Sequence, residues 1–86
     1  MEQEFISENV YNFAKENRKK DKKEILKNFE NFCNDICGYN FQKSEEMEED
    51  YILNLDGENY VMLSLDNNLF TISYKINGFE EMVLLS

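Results

Sequence analysis

The fold is decided by residues 60–85, which read YVMLSLDNNLFTISYKINGFEEMVLL. Apolar and polar side chains alternate along three runs of this stretch, as they do in strands that bury one face. Two polar breaks separate the runs, at Asn67-Asn68 and at Asn77-Gly78. Asparagine tolerates a positive φ, and Asn-Gly favours a two-residue hairpin turn. The stretch therefore predicts three antiparallel strands joined in chain order.

Two-residue turns at both breaks determine which residues lie opposite each other. They pair Ile76 with Phe79 across one turn and Leu65 with Phe70 across the other, and cross-strand partners share a face. One face then carries most of the large apolar side chains, so we expect it to pack against the helices. Its members are Val61, Leu63, Leu65, Phe70, Ile72, Tyr74, Ile76, Phe79, Val83 and Leu85.

The alternating run at residues 51–55 predicts a fourth strand, upstream of the other three. Its connection to the next strand is either a three-residue loop, 56–58, or a two-residue turn at Asp56-Gly57. The longer loop places Leu53 opposite Val61 and buries three large side chains on the core face: Tyr51, Leu53 and Leu55. The shorter turn would bury Ile52 alone, so we favour the longer loop.

Before residue 38 the apolar spacing is that of amphipathic helices. One apolar stripe runs from Phe5 to Ala14, and a second runs from Ile25 to Cys37. Asp21, followed three residues later by Glu24, resembles a capping box at the start of the second helix. Residues 15–24 contain neither proline nor glycine, so one long helix with a kink is the alternative.

Together these patterns predict an α+β fold. Two N-terminal helices, or one kinked helix, pack on one face of a four-stranded antiparallel β-meander. We expect a single domain over residues 1–86, because this length supports one modest core. Its parts are a helical segment at 1–38, an acidic connecting loop at 39–50 and a sheet at 51–86.

Composition excludes several kinds of chemistry. The 86 residues include no histidine, and the three glycines lie about twenty positions apart. Histidine catalysis, Cys/His zinc sites and glycine-rich phosphate loops therefore do not apply. Cys33 and Cys37 are spaced as two small buried side chains on one helix face. We expect no catalytic residue, no metal, no cofactor and no enzymatic activity.

The hydropathy pattern bears on localisation. The longest apolar runs span four residues, and the N-terminal residues lack the basic start and apolar core of a secretory signal. We therefore expect a cytoplasmic protein without membrane contact, in the host cytoplasm if a phage encodes it.

The sheet face away from the helices is more apolar than a solvated face needs to be. We call six of its residues the outer patch: Ile52, Tyr60, Met62, Leu69, Met82 and Leu84. Scattered exposed apolar side chains are common on protein surfaces and are one interpretation. The other is that the outer patch binds a partner or a second copy of the chain.

Charge is divided unevenly along the chain, which carries 18 acidic and 9 basic residues and a net charge of −9. Residues 1–27 hold seven of the basic residues, whereas residues 28–86 carry a net charge of −10. The candidate acidic contacts are Glu45, Glu46, Glu48, Glu49, Asp50, Asp56 and Glu58. These carboxylates could occupy a site meant for phosphates on a basic nucleic-acid-binding protein, or they could serve solubility alone.

In size and charge the chain is similar to small inhibitors that phages and mobile elements encode, including anti-CRISPR proteins, and to bacterial immunity proteins and antitoxins. This likeness favours a non-enzymatic inhibitor that occludes a basic, nucleic-acid-handling surface. The first alternative is a structural or assembly subunit that homodimerises through the sheet. The second is a regulator that contacts nucleic acid through residues 15–27, which the overall negative charge disfavours.

Overall fold

The computed structural model describes residues 3–37, 42–43, 50–55, 57–66 and 69–86. Two helices precede an antiparallel sheet, which confirms the predicted α+β fold. The helices are α1 (Gln3–Asn17) and α2 (Lys22–Cys37). The strands, which lie side by side in chain order, are β1 (Gln42–Lys43), β2 (Asp50–Asn54), β3 (Tyr60–Asp66), β4 (Leu69–Ile76) and β5 (Phe79–Leu84).

The helical segment forms two helices rather than one kinked helix. Lys19 follows the end of α1 and adopts a φ of 65°, a left-handed conformation that ends a helix. Its backbone N–H donates to the carbonyl oxygen of Leu85 at 2.8 Å. Asp21 then caps α2, because its Oδ1 accepts the backbone N–H of Glu24 at 2.9 Å. The break between the helices therefore combines the local Asp21 cap with a contact to the far end of the sheet.

A buried amide holds the corner between the helices. Asn17 is only 2% exposed. Its Nδ2 donates to the carbonyl oxygen of Phe13 at 2.9 Å, and its Oδ1 accepts from Nδ2 of Asn28 at 2.7 Å. Both polar ends of the side chain are thus satisfied, as burial requires. The hydrogen bond between Asn17 and Asn28 therefore connects the last turn of α1 to the middle of α2.

The predicted strand register is confirmed. Leu63 lies opposite Ile72, and Ile76 lies opposite Phe79. Asn77 and Gly78 have φ values of 53° and 83°, as a type I′ turn requires. The register also places Leu53 opposite Val61, as the three-residue loop predicts.

A short strand adds one element to the predicted meander. Gln42 lies opposite Ile52, and Lys43 lies opposite Tyr51, so β1 extends the sheet beyond β2. It falls within the segment predicted to be a connecting loop, 39–50. Two residues offered too short a pattern for the period-two signal to detect.

The core lies between the helices and one face of the sheet. Ile6, Val10, Ile25 and Phe29 from the helices pack with Leu63, Ile72 and Ile76 from the strands, all fully buried. The predicted core face is therefore correct for most of its members. Phe79 is the exception, because 46% of its surface is exposed. It follows the turn on the outermost described strand, where its ring lies beside that of Tyr74, with the ring centroids 6.2 Å apart.

Candidate protein-binding face

The outer sheet face is formed by rows of residues that run across the strands. Ile52, Met62, Ser73 and Met82 form the central row, each opposite the next. The other members of the outer patch occupy neighbouring rows, with Leu84 opposite Thr71 and Leu69 opposite Asp66, while Tyr60 pairs with Lys75. All six residues of the outer patch therefore share the face that points away from the helices.

Exposure divides the outer patch into two parts. Met82, Leu69 and Leu84 are 65%, 59% and 52% exposed. Ile52, Tyr60 and Met62, on β2 and β3, are half-buried among their neighbours. The accessible apolar surface therefore lies on the side of the face that β4 and β5 form. The alternation of side chains along each strand predicts which residues share the face. It does not predict this division, which depends on which strand lies at the edge of the sheet.

Acidic side chains border the exposed apolar residues. Asp66 lies directly opposite Leu69, and both are exposed. Glu80 lies opposite Lys75 at the other end of β5, with 3.8 Å between its Oε1 and the lysine Nζ. Neither Asp66 nor Glu80 was among the acidic residues predicted to contact a partner. The period-two pattern places both on this face, so parity alone could have identified them.

Of the predicted acidic contacts, Glu45, Glu46, Glu48, Glu49 and Asp56 lie outside the described residues. Asp50 begins β2 on the outer face, opposite Ser64. Its Oδ1 is buried and accepts no hydrogen bond within the described structure. Glu58 is exposed in the loop that follows β2. The structure therefore places Asp50 at the start of β2 and Glu58 beyond its end, and it does not bring them together.

A hydrogen-bonded cluster that the sequence analysis missed lies on the helix side of β5. The Glu81 carboxylate accepts from two tyrosine hydroxyls: Tyr11 of α1 donates to Oε1, and Tyr74 of β4 lies 3.0 Å from Oε2. The Tyr74 hydroxyl also lies 3.0 Å from Oγ of Ser7. Because a hydroxyl carries one proton, Tyr74 donates to Glu81 and accepts from Ser7. The cluster joins α1 to the edge of the sheet.

The environment of this cluster favours protonated tyrosines. The hydrogen bond to Glu81 is the main reason that the pKa of Tyr11 rises from 10.0 to about 12. Burial is the main reason that the pKa of Tyr74 rises, and the Glu81 carboxylate acts in the same direction. Near neutral pH both hydroxyls therefore act as hydrogen-bond donors. The signal in the sequence was an acidic residue, Glu81, at a core-face position beside Tyr74.

A cleft of about 530 Å³ separates the exposed faces of the two helices. Five asparagines line it: Asn9, Asn12, Asn17, Asn28 and Asn31. The rings of Phe13 and Phe32 also line the cleft, with their centroids 5.1 Å apart. Glu16, Lys20 and Asp35 line it as well, so the cleft combines amide groups, charged groups and aromatic carbon.

Among the residues that the structure describes, no three Cys, Asp or Glu side chains are grouped as metal ligands. Neither described helix combines the length and hydrophobicity needed to cross a bilayer.

Comparisons with protein-family models, with curated proteins and with solved structures find no match to this chain.

Proposed function

We propose that this protein is a non-enzymatic inhibitor that binds a basic, nucleic-acid-handling protein through its outer sheet face. One observation carries the proposal. Leu69, Met82 and Leu84 are each more than half exposed on a single face, in a chain with a net charge of −9. Contiguous exposed apolar surface with a polar border is typical of a protein-binding site.

The two kinds of surface would act at different stages of binding. Carboxylates attract a basic partner over a distance and raise the association rate. Asp66 and Glu80 supply this charge on the outer face, and the sequence adds the acidic run Glu45 to Asp50. Apolar contact, once water is excluded, would slow dissociation.

The target is a surface that normally binds nucleic-acid phosphates. Such surfaces owe much of their affinity to lysine and arginine neutralising negative charge, and carboxylates can use the same donors. An inhibitor of this kind acts by occlusion and requires no catalytic group. Small phage-encoded inhibitors of the anti-CRISPR kind would act this way, and so would immunity proteins and antitoxins against nucleases.

The apolar part of the proposal is tested with two lysine substitutions that change charge equally. Leu69→Lys places the new charge on the outer face, and Asn34→Lys places it on the exposed surface of α2. Each variant is immobilised and exposed to a bacterial lysate. We expect wild type and Asn34→Lys to retain the same basic nucleic-acid-binding protein, and Leu69→Lys to lose it. Equal capture by both variants would contradict binding through this face.

The electrostatic part is tested on the captured protein. Replacing Glu45, Glu46, Glu48 and Glu49 with lysine should slow association more than tenfold and leave dissociation nearly unchanged, because peripheral charges act mainly on the association rate. Free DNA should compete with the wild-type protein, and added salt should weaken binding. If the fourfold variant associates normally and DNA does not compete, the carboxylates do not replace phosphates.

A further inference from the structure

β5 is the last strand of the sheet in the part of the chain that the structure describes, and no described strand pairs with its outer edge. The two-residue turn makes Ile76 and Phe79 a hydrogen-bonded pair, and such pairs alternate along antiparallel strands. The bond from Leu85 N–H to the Phe70 carbonyl, at 2.8 Å, fits this alternation. The residues that alternate with these hydrogen-bonded pairs therefore direct their backbone N–H and C=O groups away from β4. They are Glu80, Met82 and Leu84.

The same three residues carry exposed side chains, and 65% of the Met82 surface is accessible. Sheet edges that remain unpaired are commonly protected by proline, by a bulge or by charged side chains, lysine above all. β5 reads FEEMVL, so it contains neither proline nor lysine, and its charged residues are Glu80 and Glu81. Its pairing with β4 runs without a bulge from Phe79 to Leu84. The backbone of the edge is therefore open, and its two carboxylates restrict which strand can pair with it.

We propose that β5 pairs antiparallel with β5 of a second copy of this chain, with Met82 opposite its own copy. In this register Glu80 lies opposite Leu84. Each residue whose backbone N–H and C=O point away from β4 therefore lies opposite another such residue. Each such pair exchanges two N–H···O bonds.

Charge and the length of strand overlap together select this register over its neighbours. A pairing centred on Glu80 or on Glu81 would set each carboxylate against its own copy, and like charges directly opposite each other are destabilising. The pairing centred on Met82 sets Glu81 opposite Val83 instead. A pairing centred on Val83 also keeps the carboxylates apart, but it overlaps only residues 82–84 of β5, whereas the pairing centred on Met82 overlaps residues 80–84. Lys75, 3.8 Å from Glu80, further offsets the negative charge near the edge. The strand is thus complementary to itself in one register, which is why the occupant is a second copy.

The dimer would join two outer faces into one. The central row Ile52, Met62, Ser73 and Met82 would continue through the two-fold axis into the same row of the second copy. A single sheet of ten strands would result, with the helices of both copies on one side. This inference stands apart from the proposed function, because the edge uses backbone groups that binding through the face leaves free.

Sedimentation of the full chain over a range of concentrations tests the edge. The N–H of Met82 points away from β4, so Met82→Pro spares the β4–β5 ladder and removes a donor at the centre of the dimer. Met62→Lys changes the same row of the face but not the edge. We expect wild type and Met62→Lys to sediment as dimers and Met82→Pro as a monomer. A monomeric wild type overturns the proposal, and so does a dimer that only Met62→Lys disrupts.

Cysteine cross-linking tests the register and decides the matter if Met82→Pro does not fold. Residue 82 and its copy would lie about 5.5 Å apart between Cα atoms, within disulfide reach. Residue 80 and its copy would lie about 14 Å apart along the strands. Oxidation should therefore link Met82→Cys into a covalent dimer and leave Glu80→Cys monomeric. The native cysteines, Cys33 and Cys37, are common to both variants. Equal cross-linking of the two, or of neither, overturns the register.

Discussion

At the scale of single residues, the Glu81 carboxylate links two secondary-structure elements through the hydroxyls of Tyr11 and Tyr74. Each hydroxyl donates only while it is protonated. A tyrosine with a higher pKa in the folded than in the unfolded chain contributes stability that is fully present below the unfolded pKa. That contribution is lost as the pH rises through the folded pKa. For Tyr11 the loss runs from about pH 10 to about pH 12.

Alkaline titration should therefore show tyrosine hydroxyls that ionise at an unusually high pH. Because the chain has no tryptophan, the ultraviolet absorbance of tyrosinate reports its five tyrosines directly. We expect Tyr11 and Tyr74 to ionise later than an ordinary tyrosine. Glu81→Gln removes the carboxylate, so the pKa of Tyr11 should return toward 10.0. An identical titration curve for this variant would show that the carboxylate does not hold the tyrosine protons.

Lys19 offers a second prediction, in which a substitution stabilises the protein. Its φ of 65° is strained for a residue with a Cβ atom and unstrained for glycine. Lys19→Gly keeps the backbone N–H that donates to Leu85, so we expect unfolding in urea to cost about 0.5–1 kcal/mol more. Arg18→Gly, at a neighbouring position without a positive φ, should be destabilising instead. If both variants lose stability, the left-handed residue is not strained.

At the scale of elements, the rings of Phe13, Phe29 and Phe32 pack together where α1 meets α2, and they are not equally buried. Phe29 is fully buried, whereas Phe32 is half-buried beside the cleft. Phe29→Ala should therefore cost about 3–5 kcal/mol, and Ile72→Ala on the facing strand about 2–5 kcal/mol. Phe32→Ala should cost clearly less than Phe29→Ala, measured by denaturant unfolding. Equal losses of unfolding free energy for the two variants would show that the Phe32 ring is as fully packed as the Phe29 ring.

Local chemistry explains which elements could be predicted from the sequence. The Asn77-Gly78 turn specifies its own geometry, and the pairing of Ile76 with Phe79 follows from it. The end of α1 has no such local cause. It requires the Leu85 carbonyl to reach Lys19, a contact between distant parts of the chain that no window of sequence contains.

The same distinction applies to the candidate site. Alternation predicts that Met62 and Met82 share the outer face. The Glu81 cluster instead depends on where α1 places Tyr11 relative to β5, which only the packed structure determines. The exposure of Phe79 has a similar origin, because strand order decides which core-face residue lies at an edge.

At the scale of the whole molecule, a net charge of −9 on 86 residues opposes compaction. Salt screens this repulsion, with a Debye length of about 10 Å at 0.1 M. We expect the melting temperature to rise with sodium chloride at neutral pH. Glu8→Lys with Glu30→Lys changes two exposed side chains and brings the charge closer to zero, so its response to salt should be smaller. A melting temperature that falls with salt in the wild type would show that attractive charge pairs prevail.

The strands of the sheet follow chain order throughout, and this order affects the rate at which the chain can fold. Each strand closes a short loop onto its predecessor, so the sheet has low contact order and its hairpins can form early in folding. The contact from Lys19 to Leu85 joins distant parts of the chain, so we expect it to form later, as the helices dock on the sheet. The chain contains no proline, so refolding has no slow prolyl isomerisation phase to delay that docking.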